Sequence, residues 1–253
     1  MISLLQALIY SIVQGITEWL PVSSSAHIAL LQNLFGFQSL PFIVFLQFAS
    51  ILAVIFVFWK DIVKLFNFKD KESRKYWGML IIALIPVLIV GYFFQKFRVQ
   101  LSSFFFIGIF FMISGVIVYS TKFVNHKEGK KLGWFDSLFI GVIQVVSLFP
   151  GISRSGSTIS AGIYRGIKKE DAVRFSFLLG VLTILAASAL ELKNLALQSI
   201  SYSILITTFV LTFLVSIFAI RVLLRIVKGD KFYRFGIYDF ILGLIVFIWS
   251  FVH

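Results

Sequence analysis

The 253-residue chain has no cysteine, and only 13% of its residues are charged. The lack of cysteine excludes disulfide bonds and thiolate metal sites. The scarcity of charge excludes a soluble globular protein, because 59% of the residues are hydrophobic and too few polar groups remain to cover a globule of this size. We therefore predict an all-α polytopic membrane protein, with a single integral membrane domain over residues 1–253.

Basic residues are missing from the chain before Lys60. The first hydrophobic segment therefore lacks the positively charged region of a cleavable signal peptide, and we expect it to remain in the mature protein. Further along, 19 of the 23 Lys and Arg residues fall into four clusters, at 60–75, 122–131, 165–174 and 221–234. The positive-inside rule places these clusters in the cytoplasm. The net charge of +12 thus reflects membrane topology, and we expect no nucleic-acid partner.

Six apolar runs come close to the roughly 20 residues that a helix needs to cross a bilayer. They lie at about 41–59, 77–95, 103–120, 174–192, 203–220 and 235–252. Two further apolar segments, 2–20 and 135–149, are followed after a break by pieces too short to cross, 26–36 and 156–164. Non-helical backbone at membrane depth is tolerated only inside protein or beside a wet cavity. We therefore predict six transmembrane helices plus two re-entrant helix hairpins.

The two hairpins divide the chain into related halves, repeat 1 at about 1–121 and repeat 2 at about 133–253. Each half holds one hairpin and three spans, and because three is odd the second half must insert upside down relative to the first. Sites in such inverted-topology repeats lie near the membrane midplane, where the halves meet. The basic clusters then place both termini and the links at 37–40, 96–102 and 193–202 outside. The first hairpin enters from outside and the second from inside, so their tips should form one site.

Glu18 is the only formally charged residue among positions 1–59, and it lies just before the proline of the first break. A charge at membrane depth is energetically unfavourable and marks a functional candidate. Gln14 lies four residues earlier, on the same helix face. The pair could hold a divalent cation, orient a water or position Arg154 of the second break. The simpler alternative is that Glu18 serves only as the salt-bridge partner of Arg154.

Three consecutive hydroxyl residues, Ser23–Ser25, follow the proline of the first break. One of them is expected to be the N-cap of the short helix that comes next. Three hydroxyls exceed that need, and His27 lies two residues beyond the last of them. A hydroxyl near an imidazole is the minimum for nucleophilic or general-acid chemistry. We expect Glu18 and Arg154 to converge on His27.

The second break, Pro150–Thr158, combines glycine, hydroxyls and one arginine. Gly151 and Gly156 permit a tight backbone, and the hydroxyls can cap the half-helix that follows. A helix amino terminus beside the Arg154 guanidinium is an oxyanion site, because arginine grips phosphate with two parallel hydrogen bonds. The alternative is a glycine-rich turn whose arginine pairs with a carboxylate. The candidate phosphate-binding residues of this break are Gly151, Ser153, Arg154, Ser155 and Thr158.

The segments Gln14–His27 and Pro150–Thr158 resemble the two signature motifs of bacterial undecaprenyl-diphosphate phosphatases of the bacitracin-resistance type. The resemblance extends to Gln144, to Arg174–Leu179 and to the length and span pattern of the whole chain. It implies an enzyme of the bacterial cytoplasmic (inner) membrane that removes the terminal phosphate of undecaprenyl diphosphate and regenerates the lipid carrier of cell-wall synthesis. It further implies a divalent cation such as Mg or Ca and a site reached from the periplasmic side, and it is compatible with a homodimer.

Matching the motifs residue by residue gives each candidate a role. The acidic motif falls on Gln14 and Glu18, the hydroxyl and histidine motif on Ser23, Ser24, Ser25 and His27, and the phosphate-binding motif on Ser153, Arg154, Ser155 and Thr158. The candidate catalytic residues are then Glu18, Ser24, His27 and Arg154, and Ser23 and Ser25 join the residues of the second break as candidate phosphate ligands. Gln14 occupies a position that is Glu or Gln in the family, so a metal site with two carboxylates cannot be assumed. Ala26 stands where glycine is frequent.

Phosphoryl transfer depends mainly on positioning and charge neutralisation. We expect Arg154, the hydroxyls and the half-helix N–H groups to hold the phosphates, while Glu18 with Gln14 binds the cation or orients the nucleophile. Ser24 or a water would attack the terminal phosphorus, and His27 would carry the proton or attack itself; the sequence leaves these alternatives open. A lipid-phosphate flippase or transporter is the rival interpretation, since inverted repeats with meeting hairpins are typical of transporters.

Overall fold

The computed structural model describes residues 2–98, 101–124, 129–191 and 200–252. Within these ranges the chain is helical, with no β-strand and one isolated bridge between Lys130 and Ile167. The helices are α1 (Leu4–Thr17), α2 (Ser24–Phe35), α3 (Leu40–Val57), α4 (Trp59–Leu65), α5 (Lys71–Arg98), α6 (Phe104–Tyr119), α7 (Trp134–Gln144), α8 (Arg154–Tyr164), α9 (Lys169–Glu191), α10 (Tyr202–Lys228) and α11 (Arg234–Trp249). Short 3-10 helices cover Ser120–Phe123 and Val145–Leu148.

The predicted all-α multi-pass membrane protein is confirmed. Five segments are long and apolar enough to cross a bilayer, namely Leu40–Val57, Lys71–Phe94, Phe104–Phe123, Lys169–Ala189 and Tyr202–Lys228. They match the first five predicted spans. The sixth, predicted at 235–252, forms α11, which at 16 residues is shorter than these five. The predicted outer links at 96–102 and 193–202 lie partly outside the described residues.

Both breaks form a helix, a turn and a second helix, as the sequence indicates. In the first, α1 ends at Thr17 and α2 begins at Ser24, two residues earlier than predicted. In the second, α7 continues into a 3-10 helix that ends at Leu148, and α8 begins at Arg154. The opposite entry of the two hairpins into the bilayer stays a prediction, as does the division into repeats.

Helices α6 and α11 are in direct backbone contact. A Cβ added to Gly236 would lie 2.4 Å from a backbone nitrogen of α6, and one added to Gly108 would lie 2.6 Å from a backbone nitrogen of α11. At Gly115 and Gly243 the corresponding distance to a backbone atom of the other helix is 2.7 Å. Small residues allow this approach in membrane proteins, where close packing replaces the hydrophobic driving force. The two helices therefore form a rigid pair.

The first turn is anchored by Trp19, which is completely buried. Its indole Nε1 donates a hydrogen bond of 3.1 Å to the carbonyl oxygen of Ser50 in α3. Its ring packs against Phe177 of α9, with 5.1 Å between the ring centroids. Contacts to two separate helices fix the turn that carries Glu18.

Candidate active site

The two turns are in direct contact. Arg154 Nη2 donates to Glu18 Oε1 over 2.7 Å, and the Ser155 hydroxyl donates to the Leu20 carbonyl oxygen over 2.8 Å. The Glu18 side chain is only 5% exposed and that of Arg154 only 13% exposed. Residues 136 positions apart thus share one buried site, and the predicted meeting of the two breaks is confirmed.

Both oxygens of the Glu18 carboxylate are engaged. Oε1 accepts from Arg154, whereas Oε2 accepts from Gln14 Nε2 and from the Ser24 hydroxyl, each over 2.8 Å. Gln14 reaches Glu18 because residues four apart lie on one helix face. Ser24 reaches it because it is the first residue of α2. One carboxylate therefore joins α1, α2 and α8.

The Arg154 guanidinium lies between an aromatic ring and a glycine. Its central carbon is 5.0 Å from the centroid of the Trp19 ring, which suits a cation–π interaction. A Cβ added to Gly180 of α9 would lie 1.4 Å from Arg154 Nη1. Nη1 itself is buried and has no hydrogen-bond partner in the described part of the chain. Gly180 thus provides the space in which the guanidinium sits, and one donor nitrogen is left without an acceptor.

The second turn is held by local hydrogen bonds. Ser153 is the N-cap of α8, and its hydroxyl accepts from the Gly156 N–H over 3.0 Å. Gly151 has a φ of +119°, a conformation that favours glycine, and a Cβ there would lie 2.7 Å from the backbone of α6. The Thr158 hydroxyl bonds the Arg154 carbonyl oxygen at 2.8 Å and the Ser176 hydroxyl at 2.6 Å. Thr158 therefore connects the start of α8 to Ser176 of α9.

The serines of the first turn differ in exposure and in backbone. Ser23 is buried and has a φ of 51°, which is uncommon for a residue with a side chain. It occupies the N-cap position of α2, but its hydroxyl lies 3.3 Å from that of Ser25 and makes no capping bond. The prediction that one of the three serines is the N-cap is thus confirmed for Ser23, but its side chain forms no capping bond, because such a bond needs extended backbone at the N-cap. Ser24 is half-buried and Ser25 is exposed.

His27 turns toward α11. Its Nδ1 lies 2.9 Å from the Ser23 carbonyl oxygen, which can only accept, so Nδ1 carries the proton. In the neutral ring Nε2 then accepts from the Tyr238 hydroxyl at 2.8 Å, and the two rings are parallel with centroids 5.8 Å apart. Among the described hydrogen bonds, none joins His27 to Glu18 or Arg154. Ser23 and Tyr238 take both ring nitrogens, so the expected convergence of Glu18 and Arg154 on His27 stays a prediction.

Residues 7–245 match the family model for the bacitracin resistance protein BacA. The chain belongs to this family. Similar proteins include "Undecaprenyl-diphosphatase" of Alkaliphilus metalliredigens, 35% identical over 97% of this chain and 98% of that protein, and "Undecaprenyl-diphosphatase" of Methanococcus maripaludis strain C7, 36% identical over 96% and 98%. A third, "Undecaprenyl-diphosphatase 1" of Shouchella clausii, is 35% identical over 98% of this chain and 97% of that protein.

In this BacA-family chain, sequence reasoning missed several residues that contact the site. Trp19 and Gly180 flank Arg154, and Tyr238 bonds His27. Asp239 of α11 is also completely buried, within a run that the sequence analysis treated simply as apolar. The signal that singled out Glu18, a lone charge in an apolar segment, would have found Asp239 as well. Nothing in the local sequence marks the others, because their contacts come from helices distant along the chain.

The donor set of this BacA-family site does not fit a metal ion held by protein alone. The described residues contain no group of three or more His, Asp or Glu side chains placed to share an ion. Glu18 is the only carboxylate of the two turns, and Arg154, Gln14 and Ser24 occupy its oxygens. Magnesium is usually bound through one or two carboxylates together with substrate phosphates. Any cation would therefore depend on ligands from the substrate.

Proposed function

We propose that this protein hydrolyses undecaprenyl diphosphate to undecaprenyl phosphate and inorganic phosphate, which recycles the lipid carrier of cell-wall synthesis. Membership of the BacA family and the names of the relatives support the proposal. The observation that carries it is the buried contact of Arg154 with Glu18, beside the Ser24 hydroxyl. An anion-binding guanidinium, a carboxylate and a hydroxyl at one point are the groups that phosphoryl transfer needs.

The second turn would bind the phosphates. Arg154 Nη1 is buried and has no acceptor within the described residues, and in the proposed complex a phosphate oxygen becomes its acceptor. The N–H groups of Arg154 and Ser155 belong to the first turn of α8, where a helix supplies no acceptor and favours anions. The hydroxyl of Ser153 is already occupied by the Gly156 N–H, so its contribution is to hold the turn in shape.

The first turn would carry the attacking group. The Ser24 hydroxyl donates to Glu18 Oε2, which leaves its oxygen lone pairs free for the terminal phosphorus. In the proposed step a bond forms between Ser24 Oγ and that phosphorus while the bond to the bridging oxygen breaks. The Ser24 proton passes to Glu18, and undecaprenyl phosphate leaves. Water then cleaves the phosphoserine to release inorganic phosphate. The hydrogen bond of Ser24 with Glu18 favours Ser24 over His27 as nucleophile.

An apolar groove beside the first turn supports a lipid substrate. Its volume is about 420 Å³, and it runs along α1, α10 and α11. It is lined by Ile16, Thr17, Leu20, Val22, Ile226, Arg234, Phe235 and Tyr238. We propose that it receives the first part of the polyprenyl tail, because it begins at the residues that flank Glu18.

The cation, the membrane and the assembly are further parts of the proposal. A divalent cation, Mg or Ca, would bind together with the diphosphate, with Gln14 and Glu18 as the protein ligands within reach. When bound it would neutralise phosphate charge. The protein would act in the bacterial cytoplasmic membrane, with the site reached from the periplasmic side, and a homodimer is the proposed assembly. The clusters of basic residues support the orientation.

Phosphate release from the purified protein in detergent tests the function. Wild-type protein should release inorganic phosphate from undecaprenyl diphosphate, whereas a flippase without hydrolase activity would release none.

A chelator should abolish the release and added Mg or Ca should restore it. Unchanged activity in chelator would remove the cation from the proposal without affecting the rest.

The substitution Arg154→Lys tests the phosphate contact. Lysine keeps the charge but loses the planar fork, so we expect kcat/KM to fall by about 100-fold while the protein still inserts into the membrane. Ser216→Ala is the control, since it removes a buried hydroxyl of α10 that has no partner in the described structure. Near-normal turnover by Arg154→Lys would contradict direct contact with phosphate.

A further inference from the structure

Asp239 is a buried carboxylate for which the proposed reaction has no use. It lies in α11, is completely buried, and forms no ion pair with any residue in the described ranges. Its Oδ1 has no hydrogen-bond partner there either. Acidic groups at membrane depth are rare and mark function by default. Glu18 has Arg154 as its partner, whereas Asp239 requires a separate explanation.

A chain of hydrogen bonds connects Asp239 to the second turn. The Ser114 hydroxyl of α6 donates to Asp239 Oδ2 over 2.9 Å. The Ser114 oxygen in turn accepts from the backbone N–H of Ser153 over 3.1 Å. A hydroxyl has one proton, so donating it to Asp239 directs the lone pairs of Ser114 toward Ser153. All three residues are buried, with at most 1% of each exposed. We call this series the Ser153–Ser114–Asp239 chain.

The Ser153–Ser114–Asp239 chain ends at Ser153, the residue that sets the start of α8. Ser153 is the N-cap of that helix and directly precedes Arg154. Its N–H is fixed by Ser114, while its hydroxyl is fixed by Gly156. The N–H and the hydroxyl of Ser153 are thus both held in place. They set the direction in which the Arg154 side chain leaves the backbone.

The Asp239 end of the Ser153–Ser114–Asp239 chain is rigid. Asp239 lies between Gly236 and Gly243, the two glycines through which α11 contacts the backbone of α6. Ser114 is next to Gly115, which makes the matching contact from α6. The distance from Asp239 to Ser114 is therefore set by the packing of two helices, and the second turn is held to that fixed pair.

We propose that Asp239 is a positioning residue, which orients the Ser114 hydroxyl so that Ser114 holds the Ser153 N–H and thereby places Arg154 for phosphate. The proposal rests on the proposed phosphate-binding function of the second turn. It assigns Asp239 no contact with substrate and no proton transfer.

Steady-state hydrolysis of undecaprenyl diphosphate by full-length variants in detergent tests the proposal. Ser114→Ala leaves the Ser153 N–H without its acceptor, so we expect kcat/KM to fall by about 10- to 100-fold. Asp239→Ala should lose a similar factor, and the double variant should lose no more than the worse single one, because both act through one contact. Asp239→Asn keeps an acceptor oxygen and should stay within about threefold of wild type.

Melting temperature and a matched variant separate positioning from general stability. Ser216→Ala removes a buried hydroxyl that lies outside this series and has no partner in the described structure, so it should keep wild-type kcat/KM and melting temperature. Ser114→Ala should lower the melting temperature, because it leaves buried groups unpaired, but it should stay folded at the assay temperature. Full kcat/KM in Ser114→Ala, multiplying losses in the double variant, or equal impairment of Asp239→Asn and Asp239→Ala would overturn the proposal. Normal turnover by Arg154→Lys would instead contradict the proposed function of the turn, so the two failures are distinguishable.

Discussion

At the scale of single residues, the Arg154 guanidinium can occupy its position only because Gly180 has no Cβ. A methyl group at this position would lie 1.4 Å from Nη1, so Gly180→Ala must displace the guanidinium from Glu18 and from the Trp19 ring. Misplacing a reacting group by about 1 Å can reduce the rate by about 100-fold, and we expect a loss of kcat/KM of that order.

Gly91→Ala is the matched control for Gly180→Ala. It adds the same methyl group to another apolar helix, where the nearest atom, of Leu148, is at an ordinary 3.5 Å. This variant should keep wild-type kcat/KM. Equal activity of the two variants in the hydrolysis assay would show that the space at Gly180 is not needed for Arg154.

The Tyr238 hydroxyl donates a hydrogen bond to Nε2, the second ring nitrogen of His27. Tyr238→Phe removes this hydrogen bond but keeps the parallel rings. A single hydrogen bond contributes about 0.5–1.5 kcal/mol, so we expect kcat/KM to fall by about 2- to 10-fold if His27 takes part in the reaction. In a His27→Ala background the substitution should have no further effect, because residues in contact are not additive.

Tyr233→Phe is the control for Tyr238→Phe, since Tyr233 lies near Lys122 rather than near His27. It should leave activity unchanged in either background. A full loss from Tyr238→Phe in the His27→Ala background would mean that Tyr238 acts independently of the histidine.

The sequence offers the pairing of Glu18 with Arg154 as one alternative, because each is a lone charge in an apolar segment and two such charges stabilise each other. It cannot predict that Ser24, among three serines, is the one that bonds Glu18, since that depends on where α2 begins. It also cannot predict the orientation of His27. That orientation is set by Tyr238, 211 positions away.

At the scale of helices, Asp136 connects the two ends of the second hairpin. This buried residue in the first turn of α7 accepts from Lys130 over 2.8 Å and from Arg165, just after α8, over 2.7 Å. We expect Asp136→Asn to lower the free energy of unfolding by about 1–2 kcal/mol, less than for a fully buried pair because both cations are partly exposed. Thermal unfolding in detergent measures the change.

Asp230→Asn provides the comparison for Asp136→Asn. Asp230 pairs with Lys169, but its side chain is 76% exposed, and its positive φ is one that asparagine tolerates. It should therefore change stability by less than about 0.5 kcal/mol. A loss as large as that of Asp136→Asn would show that burial of the carboxylate is unimportant.

Helix positions were predictable wherever composition sets them, and their packing was not. Proline and hydroxyl residues mark both hairpin turns, and the runs of apolar residues mark the long helices. The contact between α6 and α11 was not predicted, although glycines seven residues apart occur in both helices. Each glycine fits its own helix without a local signal, so the pattern has meaning only once the partner helix is known.

At the scale of the whole molecule, the absence of cysteine makes the predicted topology directly testable. Gln38 in the link between α2 and α3 is exposed and predicted to lie outside, whereas Asn67 is exposed and lies in a basic cluster predicted to lie inside. A membrane-impermeant maleimide should label Gln38→Cys in intact cells, and label Asn67→Cys only after permeabilisation. The parent chain serves as the unlabelled control, and the reverse pattern would contradict the predicted orientation.

The salt bridge between the turns also has a consequence for how the protein is made. Glu18 is synthesised 136 residues before Arg154, which at about 5–20 residues per second amounts to roughly 7–27 s. An unpaired charge at the centre of a membrane helix costs about 2.5–3.5 kcal/mol on insertion. We therefore expect the first hairpin to reach its final depth only after the second has emerged from the ribosome, so that the two halves complete their insertion together.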